Sequence, residues 1–310
     1  MESVPCPACH TKNSSIKLRV PDRFSAEDET PFVLVECRKC GLLYLNPRPI
    51  EEQSGAFYEN DAYNPFISAK TEKNTFDRLY DRIRKHNNRS KRKLIERHLS
   101  GPGRLLDVGC GTGEFLAEMA SVGWQVRGIE RDAKAAAYAV EKLRVNVVRG
   151  TLDSMPSVEA SFDVVTMWHV LEHVYNPHKT LMQIRDLLKE GGLLVVAVPN
   201  AHSLDAKIYQ QNWVAYDAPR HLQHFNFKSL RGLCEMHGFS VLKKALLPVD
   251  SFFNALMSEK LQEQKGGSSV LRPLRWLRAG IVANTAVVLG KFSNYFSKPV
   301  GSTLLVVFRK

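Results

Sequence analysis

The chain has 310 residues, 44% of them apolar, and its 43 Lys and Arg residues against 32 Asp and Glu residues give a formal net charge of +11. This length and apolar content predict a globular protein with one large α/β domain and a smaller appendage, whereas the longest weakly polar run, 279–290, is too short for an integral membrane protein. The positive charge favours an acidic partner such as a nucleic acid, an anionic substrate or a membrane surface. Because the first 20 residues hold no apolar signal segment, we expect a cytoplasmic protein.

Four of the six cysteines form two Cys-x-x-Cys pairs, which are Cys6 with Cys9 in CPACH and Cys37 with Cys40 in CRKCG. Each pair can turn both sulfur atoms toward one point, so the four thiolates predict a closed tetrahedral site for structural zinc. Two disulfides are disfavoured in a reducing cytoplasm, and a redox pair lacks a thioredoxin-like βαβ context. We assign this zinc-binding module to residues 1–48. Cys110 and Cys234 stand alone and are expected to be packing residues.

A basic amphipathic helix is predicted over residues 72–99, after the Pro-rich segment LLYLNPRP that ends the module. It leads directly into the main domain. We therefore assign residues 49–100 to a helical linker that also serves as a lid over the ligand of the main domain.

Seven apolar segments then alternate with helical ones. They are RLLDVG at 104–109, QVRGIE at 125–130, VNVVRG at 145–150, FDVVTMW at 162–168, LLVVAVP at 193–199, FSVLKKALLP at 239–248 and STLLVVFRK at 302–310. Near-continuous apolar runs at this spacing predict an α/β domain whose sheet is mostly parallel and covered on both faces. We assign residues 101–248 and 301–310 to this domain.

A glycine-rich loop follows the first of these strands, with alternate glycines at Gly109, Gly111 and Gly113. A dinucleotide-binding loop would have the spacing G-x-G-x-x-G and would hold a pyrophosphate on the exposed N–H groups of the helix start. Here Asp107 ends the strand and Glu114 begins the helix, so both carboxylates oppose a pyrophosphate and favour an ammonium or sulfonium group. Glu130 ends the second strand, where a carboxylate accepts hydrogen bonds from ribose hydroxyls. The sequence therefore predicts a cationic nucleoside ligand that lacks phosphates.

One cluster of ionisable side chains follows the fourth strand, in WHVLEH. It consists of His169, Glu172 and His173, which share one face if the segment is helical. The three residues are candidates for a general base with its orienting carboxylate, or for a divalent metal site. The alternative is that Glu172 and His173 bind nearby backbone groups and hold the loop.

A second cluster lies in YDAPRHLQHF, after the fifth strand, and includes Arg220, His221 and His224. Ligands of such sheets bind beyond the carboxyl ends of the parallel strands, which is where this segment begins. His221 is our first choice for a general base and His224 is a further candidate.

About 50 residues, 249–300, separate the last two strands, and from Gln264 to the C-terminal Lys310 this part of the chain has eight Lys or Arg residues and no acid. Arg272, Arg275 and Arg278 recur every third residue among apolar ones. A basic helix of this kind can lie on an anionic membrane, so a peripheral position on the inner membrane face is one interpretation, and a cap packed on the domain is the other. No RNA-binding signature or base-reading helix accompanies the charge, so nucleic acid is disfavoured.

Several motifs resemble those of the class I S-adenosylmethionine-dependent methyltransferases, in the branch of the ubiquinone-biosynthesis O-methyltransferases. They are LLDVGCGTGEFL, GIERD, FDVVTMWHVLEHVYNP and LKEGGLLVVAVPN. In addition, CRKCGLLYLNPRP is similar to the zinc-binding N-terminal piece of sugar C-methyltransferases. The resemblance implies a seven-stranded Rossmann-like sheet of order 3-2-1-4-5-7-6 with the last strand antiparallel, and a small zinc-ribbon-like N-terminal module.

The resemblance also implies roles for individual residues around S-adenosylmethionine. Asp107, Gly109 and Gly111 would hold its methionine part, and Glu130 would hold its ribose. The further expected contacts are Cys110, Gly113, Arg131, Thr151, Leu152, Trp168 and His169.

Four of these positions carry further expectations. The family often has an acid after the third strand for the adenine amino group, but here Thr151 and Leu152 occupy that place and Asp153 is the fallback. His169 stands where ubiquinone-type enzymes have a glutamate for a divalent metal, and with Trp168 it would line the face where the methyl group leaves.

We therefore predict an S-adenosylmethionine-dependent methyltransferase, EC 2.1.1.-, that methylates a hydroxyl of a glycan, a lipid-linked compound or a small metabolite by in-line transfer with a histidine base. One alternative is a C-methyltransferase of a nucleotide-linked sugar. Another is a methyltransferase-like binding or scaffold protein without chemistry.

Overall fold

The computed structural model describes residues 1–24, 30–58, 75–155, 160–264, 272–293 and 300–310. The strands are β1 (Ser14–Val20), β2 (Phe32–Cys37), β3 (Leu43–Leu45), β4 (Arg104–Val108), β5 (Gln125–Glu130), β6 (Val147–Arg149), β7 (Phe162–Trp168), β8 (Leu188–Pro199), β9 (Gln223–His224), β10 (Ser240–Ala245) and β11 (Thr303–Arg309). The α-helices are α1 (Thr75–Glu96), α2 (Glu114–Ala120), α3 (Ala133–Leu143), α4 (Pro177–Leu187), α5 (Leu204–Tyr209), α6 (Phe227–Glu235), α7 (Pro248–Gln264) and α8 (Arg272–Ser293). The 3-10 helices are Glu51–Tyr58, Leu152–Ser154, Leu171–His173, Gln210–Asn212 and Val214–Tyr216.

Seven strands form the main sheet in the order β6-β5-β4-β7-β8-β11-β10. β6, β5, β4, β7 and β8 are parallel, and β11 is antiparallel to both of its neighbours. Counted along the domain, this is the predicted order 3-2-1-4-5-7-6 with an antiparallel last strand, so the fold class is confirmed. The central strands explain the continuous apolar runs, because side chains on both faces, such as Val164 and Val165 of β7, have no exposed surface.

The carboxyl ends of β4, β5, β6 and β7 meet at one edge of the sheet. Each strand is followed there by a loop that the sequence predicts to carry site residues. Because the strands are parallel neighbours, residues far apart in sequence reach the same edge, and for example Asp107 in β4 pairs with Gly128 in β5 and Thr166 in β7.

A second sheet of four strands, β1-β2-β3-β9, joins the N-terminal module to the main domain. β9 belongs to the segment after β8, and it pairs antiparallel to β3 through Leu43 opposite His224 and Tyr44 opposite Gln223. The amide of Leu45 extends this pairing by donating to the carbonyl of Leu222 at 2.9 Å. The segment that carries the second histidine cluster is thus the fourth strand of the module's sheet.

Helix α1 occupies most of the predicted span 72–99, of which residues 72–74 lie outside the described residues. It packs along α2, and two ion pairs connect the helices. Arg84 lies 2.8 Å from Glu114, and Arg92 lies 3.0 Å from Glu118. The basic helix therefore crosses the start of α2, beside the glycine-rich loop.

The long insertion between the last two strands contains the helical hairpin of α7 and α8, and its residues 265–271 and 294–299 are outside the described part of the chain. Small buried residues, among them Ala255 of α7 and Ala279 and Ala286 of α8, let the helices approach each other closely. Tyr209 of α5 donates to Glu259 of α7 at 2.9 Å, so one face of the hairpin packs on the domain. Among the described residues, no helix combines the length and the apolar character that crossing a bilayer requires.

Candidate active site

Asp107 lies at the centre of the candidate site, at the carboxyl end of β4. Its side chain is buried, with 2% of the residue exposed, and it accepts a hydrogen bond from Thr166 Oγ1 at 2.6 Å. Burial raises the pKa of Asp107 to about 7, although Thr166 and the nearby Lys91 favour the carboxylate. A cationic ligand here would hold Asp107 in its ionised form.

The loop after β4 needs its glycines for space as well as for conformation. Gly109 and Gly113 have φ angles of +70° and +80°, which side chains rarely adopt. A Cβ atom on Gly109 would lie 2.5 Å from Val170 Cγ2, and one on Gly113 would lie 2.8 Å from Ala139 Cβ. The loop backbone therefore packs closely against Val170 and Ala139 at positions where only glycine fits.

Glu130, at the end of β5, is fixed by two backbone donors. Gly111 N–H donates to Oε2 and Asp132 N–H donates to Oε1, each at 2.8 Å. Each carboxylate oxygen keeps capacity for a further hydrogen bond, which suits a pair of vicinal hydroxyls. Arg131, beside Glu130, is exposed.

The third acid near the loop, Glu114, already has protein partners for both of its carboxylate oxygens. Arg84 pairs with its Oε1 at 2.8 Å, and Thr112 Oγ1 donates to its Oε2 at 2.6 Å. The expectation that Glu114 repels a phosphate is thereby weakened, because Arg84 balances its charge. The selection of a cation depends on Asp107 and Glu130 instead.

The end of β6 provides no acid at the sheet edge. Thr151 precedes a single 3-10 turn, and Leu152 is buried in the core. Asp153, the fallback for an adenine contact, pairs with Lys179 of α4 at 2.7 Å and also accepts from Gln183. This exposed ion pair directs Asp153 to α4, so the fallback role is not supported.

Lys91 of α1 is a site residue that the sequence pattern does not single out. Its ammonium nitrogen lies 4.2 Å from the ring centroid of Trp168, the last residue of β7. Burial lowers the pKa of Lys91, and the carboxylates of Asp250 and Asp107 oppose that shift. The Lys91 ammonium group thus lies against an aromatic face near two carboxylates, and it balances part of their negative charge.

His169 has a left-handed backbone with a φ of +58° and lies between two carboxylates. Nδ1 is 3.3 Å from Glu172 Oε1, and Nε2 is 3.1 Å from Oδ2 of Asp250, in the first turn of α7. Although burial works against it, hydrogen bonding to Asp250 and Glu172 raises the pKa of His169 to about 10. His169 is therefore an imidazolium at neutral pH, which suits a hydrogen-bond donor better than a general base. Asp250 could not be predicted, because it comes from the insertion.

The WHVLEH segment does not continue as a helix. Only Leu171–His173 forms a 3-10 turn, and the backbone reversal at His169 precedes it. The predicted common face for the three side chains is therefore not formed by helical spacing. Glu172 nevertheless faces His169, and it is brought against His221 from the second cluster.

Glu172, His173 and His221 form the most compact ionisable cluster of the site. One ligand atom from each residue lies within 4.8 Å of the others. His173 Nδ1 is 2.9 Å from the carbonyl oxygen of Arg220, and His221 Nδ1 is 2.8 Å from that of Ala215. Since a carbonyl only accepts, both Nδ1 atoms carry hydrogen, and both Nε2 atoms keep a lone pair when the rings are neutral.

Burial lowers the pKa of His221 to about 4, with a further contribution from His173. The same cause lowers the pKa of His224 to about 3. Both rings are therefore neutral at physiological pH. His224 is 1% exposed and packs against Tyr216 with 5.2 Å between ring centroids, so His221 is the more accessible of the two.

The four cysteines of the N-terminal module converge, and none forms a disulfide. Cys6 Sγ is 3.6 Å from Cys40 Sγ, and Cys9 Sγ is 3.5 Å from Cys37 Sγ. Hydrogen bonding between Cys6 and Cys40 lowers the pKa of Cys40 and raises the pKa of Cys6. The donor set and its spacing fit a tetrahedral zinc site.

Comparison with known proteins connects this arrangement to a reaction. A family model described as a methyltransferase domain matches residues 80–244, more than half of the chain. The chain is 34% identical over 131 residues to a ubiquinone biosynthesis O-methyltransferase from Maricaulis maris, which covers 40% of this chain and 52% of that protein. It is 33% identical over 97 residues to a probable S-adenosylmethionine-dependent methyltransferase of Mycobacterium tuberculosis, covering 31% and 35%. The chain thus spans about half or less of the length of these relatives.

Two solved structures share the fold. One is a putative sarcosine dimethylglycine methyltransferase from Galdieria sulphuraria, with a TM-score of 0.51, 11% identity, and coverage of 84% of this chain and 98% of that one. The other is a Burkholderia thailandensis 1,6-didemethyltoxoflavin-N1-methyltransferase with bound 1,6-didemethyltoxoflavin and S-adenosylhomocysteine, with a TM-score of 0.50, 16% identity, and coverage of 92% and 98%.

Proposed function

The chain belongs to the class I S-adenosylmethionine-dependent methyltransferases, and on that premise we propose that it methylates a hydroxyl oxygen of a small acceptor, with His221 as the general base. The observation that carries the proposal is the neutral His221 ring beside Glu172, at the sheet edge where β7 ends. The acceptor classes we retain are a small metabolite, a lipid-linked compound and a glycan.

The residues at the sheet edge fit S-adenosylmethionine, which supplies a methyl group activated by a positively charged sulfur. Asp107 would hold the amino group of the methionine part, and Glu130 would hold the ribose hydroxyls. Lys91 would supply a cation for the carboxylate group, and the backbone of Gly109 and Gly111 would lie against the methionine part. The fit depends on the observed charges, which are two acids and one cation at the same end of the sheet.

His221 has the properties of a base for a hydroxyl acceptor. Its Nδ1–H is engaged by the Ala215 carbonyl, so Nε2 is the atom that accepts the proton as the oxygen–methyl bond forms and the sulfur–methyl bond breaks. Glu172 would stabilise the resulting imidazolium. Alignment of the reacting atoms contributes about 7–11 kcal/mol to such a step, and a base adds about 10²–10⁴ in rate.

A divalent metal at Glu172, His173 and His221 is the second candidate for this cluster, favoured by the convergence of one carboxylate and two imidazoles within 4.8 Å. In that case His221 would be a ligand and could not accept the proton. Chelation separates the two proposals, because methyl transfer with a histidine base survives dialysis against a chelator that leaves the zinc module loaded. Restoration of transfer by added Mg²⁺ or Mn²⁺ would support the metal.

The experiment is methylation of a cell extract by the full chain with S-adenosylmethionine, followed by untargeted mass spectrometry for species heavier by one CH₂ unit. His221→Gln should bind S-adenosylhomocysteine normally and reduce product formation at least 100-fold. His98→Gln, in the turn that follows α1, is the matched control. A methyl group found on carbon of a nucleotide-linked sugar would favour C-methylation. Normal cofactor binding without any product would favour the scaffold alternative.

We also propose that Cys6, Cys9, Cys37 and Cys40 hold a structural zinc ion. Such a site contributes to folding directly, because its ligands must converge for the metal to bind. Its role here would be to hold β2 and β3, and with them the segment that contains His224.

The hairpin of α7 and α8 is proposed to contact an anionic membrane surface. Leu274, Leu277 and Ile281 form an outward stripe on α8, with 63%, 62% and 58% of their surface exposed. Sedimentation with phosphatidylglycerol vesicles tests this contact. A Leu277→Glu, Ile281→Glu double variant should lose binding, and Val140→Glu, at an exposed apolar position on α3, should retain it. Equal binding by both would refute it.

A further inference from the structure

We propose that Asp22, in the N-terminal module, is a positioning residue for the histidines of the proposed acceptor site. The inference rests on the proposed function, because it assigns to Asp22 the task of holding His173 and His221 in place. Asp22 touches neither ring, and it acts through the side chain and the carbonyl group of Arg220.

Arg220 is held by a complete set of acceptors. Its side chain is 1% exposed, and Asp22 accepts from both Nη1 and Nη2. Asp217 accepts from Nε at 2.9 Å, and the carbonyl groups of Phe57 and Ala218 accept from Nη1 and Nη2 at 3.2 and 3.3 Å. These five contacts match the five N–H donors of a guanidinium group, which fixes the position of Arg220 in three dimensions.

The backbone of Arg220 lies directly against the histidines. Its carbonyl accepts from Nδ1 of His173 at 2.9 Å, and the next residue along the chain is His221. The amide of His221 donates to the carbonyl of Asp217 at 3.0 Å, which closes a turn around Arg220. A displacement of Arg220 would therefore change the shorter of the two hydrogen bonds at Nδ1 of His173, the other being to Tyr58 at 3.2 Å, and the turn that presents His221.

Charge makes Asp22 the critical partner in this network. The positive charges of Arg220 and Arg23 are balanced by the carboxylates of Asp22 and Asp217. Arg220 pairs with both carboxylates, and Arg23 Nε lies 3.0 Å from Asp217 Oδ1. Without the Asp22 carboxylate, two guanidinium groups would share Asp217, and one buried positive charge would be uncompensated. The turn is then expected to open so that Arg220 regains water.

The partner comes from a remote part of the chain. Asp22 is 198 positions from Arg220 and lies just after β1, the outer strand of the module's sheet. The pairing of β3 with β9, extended by the hydrogen bond from Leu45 to Leu222, attaches the module beside His224. Asp22 attaches the module to the turn of Arg220 and His221 itself, through the side chain of Arg220.

The test uses the full chain with Asp22→Asn, which keeps the shape and removes the charge. Glu36→Gln is the matched control, since Glu36 forms an exposed ion pair with Lys17 in the same module. Imidazole ¹⁵N resonances report whether Nδ1 of His173 and of His221 still carries hydrogen. We expect both signals to change in Asp22→Asn and to match the wild type in Glu36→Gln. S-adenosylhomocysteine affinity should stay within threefold, and labelled methyl transfer into extract should fall at least tenfold.

Arg220→Lys provides a second test if Asp22→Asn does not fold. It keeps the positive charge but removes the planar guanidinium group that donates to both Asp22 and Asp217. It should disturb the same two histidine signals. Unchanged histidine signals in either folded variant would overturn the proposal. Loss of S-adenosylhomocysteine binding in both variants would also overturn it, because the network around Arg220 would then stabilise the fold as a whole and not the histidines in particular. If the wild type binds S-adenosylhomocysteine but methylates nothing, the proposed function fails, and the histidine signals still decide the role of Asp22.

Discussion

Replacement of Glu130 by glutamine tests the cofactor site at its best-defined position. The carboxylate accepts from Gly111 N–H and from Asp132 N–H, each at 2.8 Å. In Glu130→Gln, one oxygen becomes an NH₂ group that faces a backbone donor, so one of these bonds is lost and a repulsive contact replaces it. The ribose loses a charged acceptor at the same time. The substitution keeps the side-chain volume, so packing is nearly unchanged.

The size of the effect follows from the kind of bond removed. A hydrogen bond to a charged group contributes about 1.5–3 kcal/mol, and each 1.4 kcal/mol is about a tenfold change in affinity. We therefore expect Glu130→Gln to bind S-adenosylhomocysteine about 10–150 times more weakly than the wild type. Isothermal titration calorimetry measures this directly. Glu141→Gln, an exposed position on α3, is the matched control and should bind normally. An affinity of Glu130→Gln within threefold of the wild type, in a folded protein, would refute the assigned ribose contact.

Three further predictions concern charge and metal. Lys91→Met should raise the pKa of Asp107 above its present value of about 7, because the ammonium group favours the carboxylate, and the pH midpoint of S-adenosylhomocysteine binding should move upward in calorimetric titrations. His221 has its pKa lowered from 6.5 to about 4, so the unfolded chain binds the extra proton between these values, and stability is lost as pH falls. From pH 7 to 4.5 this group alone should remove about 2 kcal/mol, measured by urea unfolding, and His221→Gln should show a correspondingly smaller loss. Cys37→Ser should lower zinc content, measured by a colorimetric chelator, together with the melting temperature, and an unchanged zinc content would contradict the assigned ligand.

The main sheet and its cofactor edge are predictable from sequence because their signals are local. Each central strand is a continuous apolar run, and burial on both faces requires such runs. Asp107 and Glu130 stand at the ends of two of these runs, and parallel pairing necessarily brings strand ends together. The glycine spacing is informative for the same reason, since the clash at Gly109 arises from Val170 on the adjacent strand's loop.

The rest of the site comes from contacts that no local pattern encodes. Asp250 reaches His169 from the insertion, and Lys91 reaches Trp168 from the basic helix. Their types are common on solvent-facing helices, so only the packing of α1 and α7 on the sheet edge distinguishes them. The positive φ angle of His169, which reverses the backbone, could not be predicted either, because no residue type typical of such a conformation stands at this position. The salt bridge of Arg220 with Asp22 joins residues 198 positions apart.

The two-residue strand β9 has a consequence for how this chain could be recombined or engineered. One edge of the N-terminal sheet is built from Gln223 and His224, so the boundary between the two sheets does not coincide with a cut in the sequence. In a chimaera whose first 48 residues came from a relative, a strand from that relative would have to pair with β9 of this chain. The register of that pairing, and with it the position of His224, would no longer be the native one. The exchangeable unit is the N-terminal piece together with the segment from Asp217 to Asn226, and grafts that respect this pairing should be the ones that retain their native architecture.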